Sequence, residues 1–512
     1  MVRADGVEDY EDEPYAELTY QLTHPDGFAT IGALLGLAPA PVETCRVLEL
    51  GCASGANIIA MAEALPRASF TGVDLSPRQV AAGRAMTAEL GIRNVELLAG
   101  DIRDIEMLTP GSFDYVIAHG VYSWVPAEVR GALLANCRRL LAPNGIACIS
   151  YNAYPGWAPL HALREMMLHH TRNAANPRER ATRAEALYRL LQRANPPAGS
   201  SFGQFLAEYE AHVDGRHALG GDRASSLLLH DELAGVNEPV YFHEFADHAA
   251  RHGLQYLADA DFPTVFPPRL APEVQDELRK LATTPVEHQQ YLDFLSNATF
   301  KQTLLCHEER AVSRRVGASI EPLRRMFAAS PAKPAMVPAG REPTRFDGAD
   351  GAKLQPGSPA GRAALSLLTA RYPARVPFDE LVRDVRERLG GAAPDEESAA
   401  LQVAETLLQG FCYSASLVEL RTTAGAFTVT PGAKPRTPAF ARRQLARGFG
   451  HVTNLRHERV TVDGLIARLI ALFDGTRTRE EALRGTGHGS NRSARRFEQA
   501  VRTLTEMALF LE

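Results

Sequence analysis

From residue 45 to residue 151, short apolar runs alternate with longer segments whose hydrophobic positions recur at helical spacing. The runs have the length of buried strands, and they cover residues 46–50, 70–74, 95–98, 113–118 and 145–150. Helical spacing follows three of these runs, over residues 57–64, 76–90 and 127–141. Strands that alternate with helices form βαβ units with parallel strands. This part of the chain therefore predicts an α/β fold with a Rossmann-like, doubly wound sheet.

The pattern changes after residue 155. Residues 156–329 have mostly helical spacing, and residues 330–361 are rich in proline and glycine, which predicts a linker. The last part combines helices with short β segments at 417–421 and 427–430, which we expect to pair as a hairpin. Helices followed by a hairpin are typical of a winged helix. We therefore predict an α/β domain at 18–155, a helical region at 156–329, a linker at 330–361 and a winged-helix-like module at 362–512.

Charge is unevenly distributed along the 512 residues. Residues 1–17 hold seven acids against one arginine, so this segment accounts for the formal net charge of -6. We expect it to be an acidic, disordered tail. Residues 431–512 carry fifteen Lys or Arg against eight Asp or Glu. The balanced body disfavours nucleic acid as a partner, but the basic C-terminal segment leaves a DNA-binding regulator as one alternative.

Other sequence features bear on location and metals. The chain has no run of about 18 apolar residues, the length that a membrane span needs. Its six cysteines form no CxxC pair, which argues against a disulfide framework and a zinc ribbon. The segment from His243 to His248 misses the HExxH spacing by one residue, so no metal site is predicted. Together with an acidic N-terminus that lacks an apolar segment, these features predict a cytoplasmic protein.

A loop of small residues follows the first predicted strand. Glu49 precedes Gly51 by two positions, and Gly55 closes the loop. Glycines at these places let the backbone approach a ligand, but the loop lacks the G-x-G-x-x-G order of dinucleotide sites. Two further acids follow the next two strands, Asp74 at the end of the second and Asp101 after the third.

In order and spacing, these residues resemble the motifs of class I S-adenosylmethionine-dependent methyltransferases. The resemblance implies S-adenosylmethionine as cofactor, with its methionine part at the loop, its ribose diol at Asp74 and its adenine amino group at Asp101. Ala53 stands where that family usually has glycine. The cofactor-binding residues that the resemblance implies are Glu49, Gly51, Ala53, Gly55, Asp74, Leu75, Asp101, Ile102 and His119.

Longer segments resemble a narrower group. Residues 45–55, 113–126, 150–157, 230–245 and 290–295 are similar to bacterial methyltransferases that carry a methyltransferase regulatory domain, among them rickettsial protein lysine methyltransferases. The resemblance implies a lysine side chain of a protein as acceptor, and it leaves a homodimer open. A small-molecule or natural-product methyltransferase is the enzyme alternative, and a cofactor-sensing DNA-binding regulator is the alternative of another class.

The acceptor is expected beyond the carboxyl ends of the fourth and fifth strands, where open α/β sheets bind their ligands. Three candidate catalytic residues lie there, His119, Tyr122 and Tyr151, together with both tryptophans of the chain, Trp124 and Trp157. A lysine acceptor must lose its proton, because its ordinary pKa is about 10.4. The candidates could accept a hydrogen bond from the amine or orient it, and the sequence does not choose among them. The two tryptophans could stabilise the cationic sulfonium or guide the amine with their aromatic faces, or they could bury loops against the helical region.

Overall fold

The structure is a computed structural model that describes residues 17–217, 233–266, 270–336, 343–485 and 491–511. Within these ranges seven strands form one sheet. They are β1 Arg46–Leu50, β2 Ser69–Asp74, β3 Val95–Ala99, β4 Phe113–Ala118, β5 Leu141–Asn152, β6 Leu254–Asp259 and β7 Phe300–His307. The strand order is β3-β2-β1-β4-β5-β7-β6. The first five strands are parallel and confirm the predicted doubly wound sheet.

Two strands come from the region expected to be mostly helical. β7 runs antiparallel to β5 and to β6, so the middle of the chain extends the sheet as well as covering it. The helices of the first part are α1 Pro25–Leu34, α2 Ala56–Ala64, α3 Pro77–Leu90 and α4 Ala127–Leu140. Those of the middle part are α5 Ala158–Thr171, α6 Pro177–Ala194, α7 Ser201–His217, α8 Phe242–Arg251, α9 Pro272–Leu281, α10 Pro285–Ser296 and α11 Glu321–Arg324.

Side chains alternate between the two faces of the sheet, as a pleated strand requires. In β1, Val47 and Leu48 are both fully buried, but they belong to different apolar clusters. α1 packs on the face of Val47 through Phe28, whose ring lies 6.2 Å from that of Tyr115. The sheet is therefore covered on both faces, and its carboxyl edge stays available for a ligand.

The predicted linker at 330–361 is wrong for the described residues within it. β9 Lys333–Pro334, β10 Phe346–Asp347 and β11 Lys353–Leu354 form a small antiparallel sheet. Phe346 is fully buried and Leu354 nearly so, and both belong to the apolar cluster that includes Val47. Proline and glycine here shape tight turns on a folded surface. The boundaries of the other predicted regions stay predictions, and residues 1–16 of the predicted tail lie outside the described residues.

The predicted hairpin of residues 417–421 and 427–430 is also wrong. β13 Glu419–Arg421 pairs with β8 Phe327–Ala329, which also pairs with β12 Val376–Pro377. Phe427 instead bridges to Leu511. Three helices accompany this sheet, α12 Pro359–Arg371, α13 Phe378–Leu389 and α14 Glu396–Tyr413.

The last part of the chain does contain a hairpin, at another place. β14 His451–Thr453 pairs antiparallel with β15 Arg459–Thr461. The surrounding helices are α15 Ala439–Ala446, α16 Gly464–Leu472, α17 Arg479–Gly485 and α18 Asn491–Glu506. We call residues 433–511 the C-terminal module. Among the described residues, no helix is long and apolar enough to cross a bilayer.

Buried polar contacts join the C-terminal module to the first domain. The carboxylate of Glu63 in α2 accepts the free N–H groups of Ala439 and Phe440 at 2.6 and 3.0 Å, and so caps α15. Glu17, the last acid of the N-terminal segment, pairs with Arg443 at 2.6 Å. The oppositely charged ends of the chain thus meet at this pair.

Candidate active site

The loop after β1 owes its shape to left-handed backbone at three positions. Gly51, Ala53 and Gly55 have φ of 74°, 49° and 71°. A Cβ on Gly51 would lie 2.4 Å from Val121 Cγ2, and a Cβ on Gly55 would lie 2.8 Å from Leu97 Cδ2. Glycine is therefore required at both ends of the loop for conformation and for space. Ala53 adopts the same conformation with a methyl group, which costs roughly 1 kcal/mol.

Asp74 holds this loop at the end of β2. Its Oδ2 accepts the N–H of Ala53 at 2.7 Å, and its Oδ1 accepts the N–H of Ser76 at 2.9 Å. Leu75 beside it is 50% exposed at the carboxyl edge of the sheet. An acid and an exposed apolar side chain next to each other suit a ribose and the adenine ring that it carries. The predicted roles of both residues thus fit their placement.

Asp101 lies farther along the same edge, after β3. Arg103 donates to both of its carboxylate oxygens, from Nε to Oδ1 at 3.1 Å and from Nη2 to Oδ2 at 2.6 Å. These hydrogen bonds lower the pKa of Asp101. Ile102 is nearly buried. The adenine contact of Asp101 and Ile102 stays a prediction, and the adenine amino group would share the carboxylate with Arg103.

Glu49 supplies the best test of whether the site fits a cationic cofactor. It is 4% exposed, and its Oε1 accepts from Asn57 Nδ2 at 2.8 Å. Its Oε2 is buried and has no hydrogen-bond partner among the described residues. Burial raises the pKa of Glu49 to about 8. A buried carboxylate oxygen without a donor is costly, and the ammonium group of S-adenosylmethionine is a donor of the right charge.

Asn57 connects Glu49 to two other parts of the molecule, the N-terminal segment and the C-terminal module. Its Oδ1 accepts the backbone N–H of Tyr20 at 3.0 Å and lies 2.7 Å from Nε2 of His457. Its Nδ2 also donates to Thr23 Oγ1 at 3.0 Å. Asn57 was not predicted as a site residue. A signal was available, because it is a polar residue at the start of the helix that follows the glycine loop.

His119 lies at the carboxyl end of β4, as predicted for a residue near the cofactor. Its ring stacks on Tyr20 with a centroid distance of 3.7 Å, and Phe300 approaches its edge at 5.8 Å. Burial lowers the pKa of His119 to about 3. The imidazole is therefore neutral at physiological pH. Tyr20 covers this end of the sheet, and α1, which follows it, packs on one face.

The two candidate tyrosines make contacts inside the protein through their rings and hydroxyl groups. Tyr151 is 1% exposed, its hydroxyl lies 2.9 Å from Thr303 Oγ1, and its ring stacks on Phe245 at 4.2 Å. Tyr122 is 3% exposed, and its hydroxyl lies 2.8 Å from His248 Nδ1 in α8. With both hydroxyls buried in internal contacts, the catalytic roles predicted for Tyr122 and Tyr151 gain no support from this geometry and stay predictions. The strand ends were identified correctly, but alternation along β5 turns Tyr151 into the core.

Phe300 lies beside His119, and three further aromatic side chains contact one another on neighbouring segments. We call these four side chains the aromatic edge. Its members are Tyr154, Tyr241, Phe294 and Phe300. Phe294 and Phe300 are 43% and 44% exposed. Ala153 N donates to Thr299 O at 2.8 Å, which joins the segments that carry Tyr154 and Phe300. The sequence signal was weak, because three of the four come from the region predicted as helical.

Three family models match the chain. A methyltransferase domain matches residues 48–147, a predicted methyltransferase regulatory domain matches residues 224–307, and the C-terminal winged helix domain of PKMT matches residues 433–500. These ranges cover the glycine loop, strands β6 and β7, and most of the C-terminal module.

The chain is also similar to known proteins over long stretches. It is 36% identical to an uncharacterised protein of Rickettsia prowazekii over 326 residues, which are 64% of this chain and 57% of that protein. It is 35% identical to a second protein of that organism over 257 residues, which are 50% of this chain and all of that protein. The chain thus spans little more than half the length of the first of these relatives.

One solved structure matches the fold over nearly the whole chain. This is the structure of PKMT2 from Rickettsia typhi, also solved in complex with AdoHcy, at a TM-score of 0.82 and 24% identity. The match covers 98% of this chain and 100% of that one. With the glycine loop, the acids at the ends of the strands and the matching domains, the chain belongs to the class I S-adenosylmethionine-dependent methyltransferases that carry a methyltransferase regulatory domain.

Proposed function

We propose that this chain transfers methyl groups from S-adenosylmethionine to lysine side chains of a protein. We call Glu49, the loop from Gly51 to Gly55 and Asp74 the cofactor cradle. The observation that carries the proposal is the exposed ring of Phe300 beside His119, at the same end of the sheet as this cradle, whose Glu49 Oε2 is unpartnered among the described residues. The similarity to PKMT2 from Rickettsia typhi supports a protein acceptor.

Different residues of the cradle would bind different parts of the cofactor. Glu49 faces the ammonium group, the loop from Gly51 to Gly55 admits the methionine part, and Asp74 faces the ribose. When bound, S-adenosylmethionine supplies an electrophilic methyl group to an attacking amine. The remaining task of the chain is to place that amine in line and without its proton.

His119 is unsuited to remove that proton. An imidazole with a pKa of about 3 holds a proton poorly at neutral pH. We therefore assign His119 an orienting role, in which it packs between Tyr20 and Phe300 and shapes the entrance for the amine. Deprotonation of the lysine is left to solvent at the exposed edge.

The aromatic edge suits a lysine side chain. An alkyl stem packs against aromatic faces, and an ammonium group over such a face gains roughly 0.5–2 kcal/mol. Phe300 and Phe294 offer these faces at the surface, where a segment of a folded or extended protein can reach them. A small-molecule enzyme would instead be expected to enclose its acceptor in a concave pocket.

The alternative of a DNA-binding regulator finds less support. Part of the positive charge of the C-terminal module is internal, because Arg443 pairs with Glu17 and Glu89, and Arg456 pairs with Glu419. Such arginines are not available to neutralise phosphates. We also propose a cytoplasmic location, which suits the free cysteines of the chain.

Incubation of the chain with methyl-labelled S-adenosylmethionine and a bacterial lysate tests the proposal. We expect label in protein, located by mass spectrometry on methylated lysine, and none with Asp74→Ala. Label confined to small molecules would refute the protein acceptor, and label on other side chains would refute lysine.

A further inference from the structure

The turn between β14 and β15 enters the cofactor site from the far end of the chain. His457 in this turn has φ of 63° and is 3% exposed. The turn is braced from within, because Asn454 Oδ1 accepts the N–H groups of Arg456 and Glu458 at 2.9 and 2.8 Å. Asn454 Nδ2 also donates to Met507 O at 2.9 Å, next to the end of α18. His457 is thus presented by a rigid part of the C-terminal module.

The backbone decides how Asn57 is oriented. Because the N–H of Tyr20 can only donate, the atom that it contacts at 3.0 Å must be Oδ1 of Asn57. Nε2 of His457, which lies 2.7 Å from the same oxygen, must then carry a proton and donate it. Burial keeps the pKa of His457 well below its ordinary value, so the ring is neutral and protonated on Nε2.

This orientation has a consequence for Glu49. With Oδ1 held by His457 and Tyr20, Nδ2 of Asn57 points at Oε1 of Glu49, 2.8 Å away. One carboxylate oxygen is thereby fixed, and the other, Oε2, is left for a ligand. A rotated Asn57 would present an oxygen to Glu49 and oppose the ionised carboxylate that an ammonium ligand requires.

We propose that His457 is a positioning residue of the cofactor site, which acts through Asn57 on the carboxylate of Glu49. The C-terminal module thereby completes the cofactor cradle, although 400 residues separate His457 from Asn57. The inference rests on the proposed function only in taking S-adenosylmethionine as the cofactor, and it is independent of the acceptor.

A role in holding the module to the first domain is the competing explanation. The two roles differ in what a hydrogen-bond donor at position 457 achieves. Glutamine and methionine have similar size and flexibility, but only glutamine can donate to Asn57 Oδ1. If the hydrogen bond only holds the module to the first domain, its loss in His457→Met should lower the melting temperature, and any loss of affinity should follow from that.

Calorimetric titration of the full chain with S-adenosylhomocysteine tests the inference. We expect His457→Met to raise the dissociation constant about tenfold, the typical effect of one lost hydrogen bond. His457→Gln should stay within about threefold of wild type while the melting temperatures of the two variants agree. Thr19→Val, the matched control, removes the 2.9 Å contact with Thr453 at the same interface and should leave the dissociation constant unchanged.

The possible outcomes separate the inference from the cofactor assignment. Equal dissociation constants for His457→Met and wild type would overturn the inference, and so would equal weakening by His457→Met and His457→Gln. If His457→Met or His457→Gln fails to fold, His457→Leu or His457→Asn takes its place, and the same outcomes decide. Failure of wild type to bind S-adenosylhomocysteine would instead refute the cofactor.

Discussion

The amide N–H of Ala53 donates to Oδ2 of Asp74 across 2.7 Å. The acid expected to bind the ribose is therefore the same acid that holds the glycine loop in its left-handed conformation. The shape of the loop and the charge at the end of β2 form a single unit, and a change in either alters both.

Removing the Asp74 carboxylate should abolish tight cofactor binding. Asp74→Ala deprives Ala53 and Ser76 of their acceptor, and we expect the dissociation constant of S-adenosylhomocysteine to rise at least about tenfold. Calorimetric titration measures it. Glu96→Ala removes an exposed acid from β3 and serves as the control. Binding that stays at the wild-type level in Asp74→Ala would contradict the assignment.

A methyl group at position 51 should destabilise the loop for two separable reasons. Gly51→Ala places a Cβ 2.4 Å from Val121 Cγ2 and forces φ of 74° on a residue that disfavours it. We expect a loss of roughly 1–3 kcal/mol in the free energy of unfolding. Gly51→Ala combined with Val121→Ala should cost less than the two single changes added together, because it relieves the clash and leaves the strain. Strictly additive effects in thermal denaturation would rule out the clash.

Cofactor affinity should rise with pH through the titration of Glu49. The free protein holds a proton on Glu49 below about pH 8, and an ammonium ligand favours the carboxylate, so binding releases that proton. Affinity for S-adenosylhomocysteine should therefore increase about twentyfold from roughly pH 6 to 7.5, below the ordinary pKa of an α-amino group. His24 and His119 have pKa values of about 3 and do not titrate there.

The same carboxyl group makes the free protein less stable at higher pH. Between the ordinary pKa of about 4.5 and the raised value of about 8, the folded form retains a proton that the unfolded chain has lost. Stability from this group is thus greatest at low pH and falls as pH rises through the interval. Glu49→Gln should flatten both profiles. Unchanged slopes in that variant would assign the titration to another group.

Loss of the Phe300 ring should affect the acceptor and not the cofactor. The ring is 44% exposed beside His119, and we expect Phe300→Ala to raise the KM for a protein acceptor about three- to tenfold. The dissociation constant of S-adenosylhomocysteine should stay within about twofold, as one exposed contact is lost. Leu401→Ala, at a 53% exposed residue of α14, controls for loss of apolar surface. An unchanged KM would remove the aromatic edge from the acceptor site.

The ion cluster around Glu419 should dominate the stability of the contact between β13 and the C-terminal module. Glu419 accepts from Arg375 at 2.6 Å and also pairs with Arg456, and all three side chains are nearly buried. Burial alone would raise the pKa of Glu419, but the charges of the arginines outweigh it and hold the pKa far below its usual range. Glu419→Gln leaves the buried Arg456 without its carboxylate, while Arg375 keeps its pair with Asp26, and the change should cost about 3–5 kcal/mol in urea denaturation.

The exposed pair of Arg324 and Glu397 gives the comparison for that cluster. Its atoms lie 3.1 Å apart, and the side chain of Glu397 is 66% exposed. Glu397→Gln should change the free energy of unfolding by less than about 1 kcal/mol. Similar costs for the buried and the exposed carboxylate would contradict the explanation.

The α/β domain could be predicted because its signals are local. Strand β1, the loop from Gly51 to Gly55 and helix α2 follow one another within twenty residues, and each has its own pattern of apolar or small residues. The same holds for Asp74, whose position after β2 is visible in the sequence.

Strand β7 could not be recognised in this way. It contains Lys301, which is 5% exposed because Asp259 and Asp293 contact its Nζ at 2.6 and 2.7 Å. From the sequence alone, a lysine at this position is predicted to be exposed. Its burial depends on two carboxylates that come from β6 and α10. The false hairpin at 417–430 has the related cause that β13 pairs with β8, about ninety residues earlier in the chain. His457 gave no signal at all, since only folding brings it to Asn57.

The position of His457 affects when the cofactor site comes into being during synthesis. Glu49, Asn57 and Asp74 leave the ribosome early, yet the turn that orients Asn57 emerges some 400 residues later. At roughly 5–20 residues per second, the nascent methyltransferase domain waits about twenty seconds or longer with an incomplete cradle. A newly made chain therefore gains full affinity for its cofactor only when the C-terminal module has docked. Tight binding of the cofactor is thus a sign that this module has folded against the methyltransferase domain.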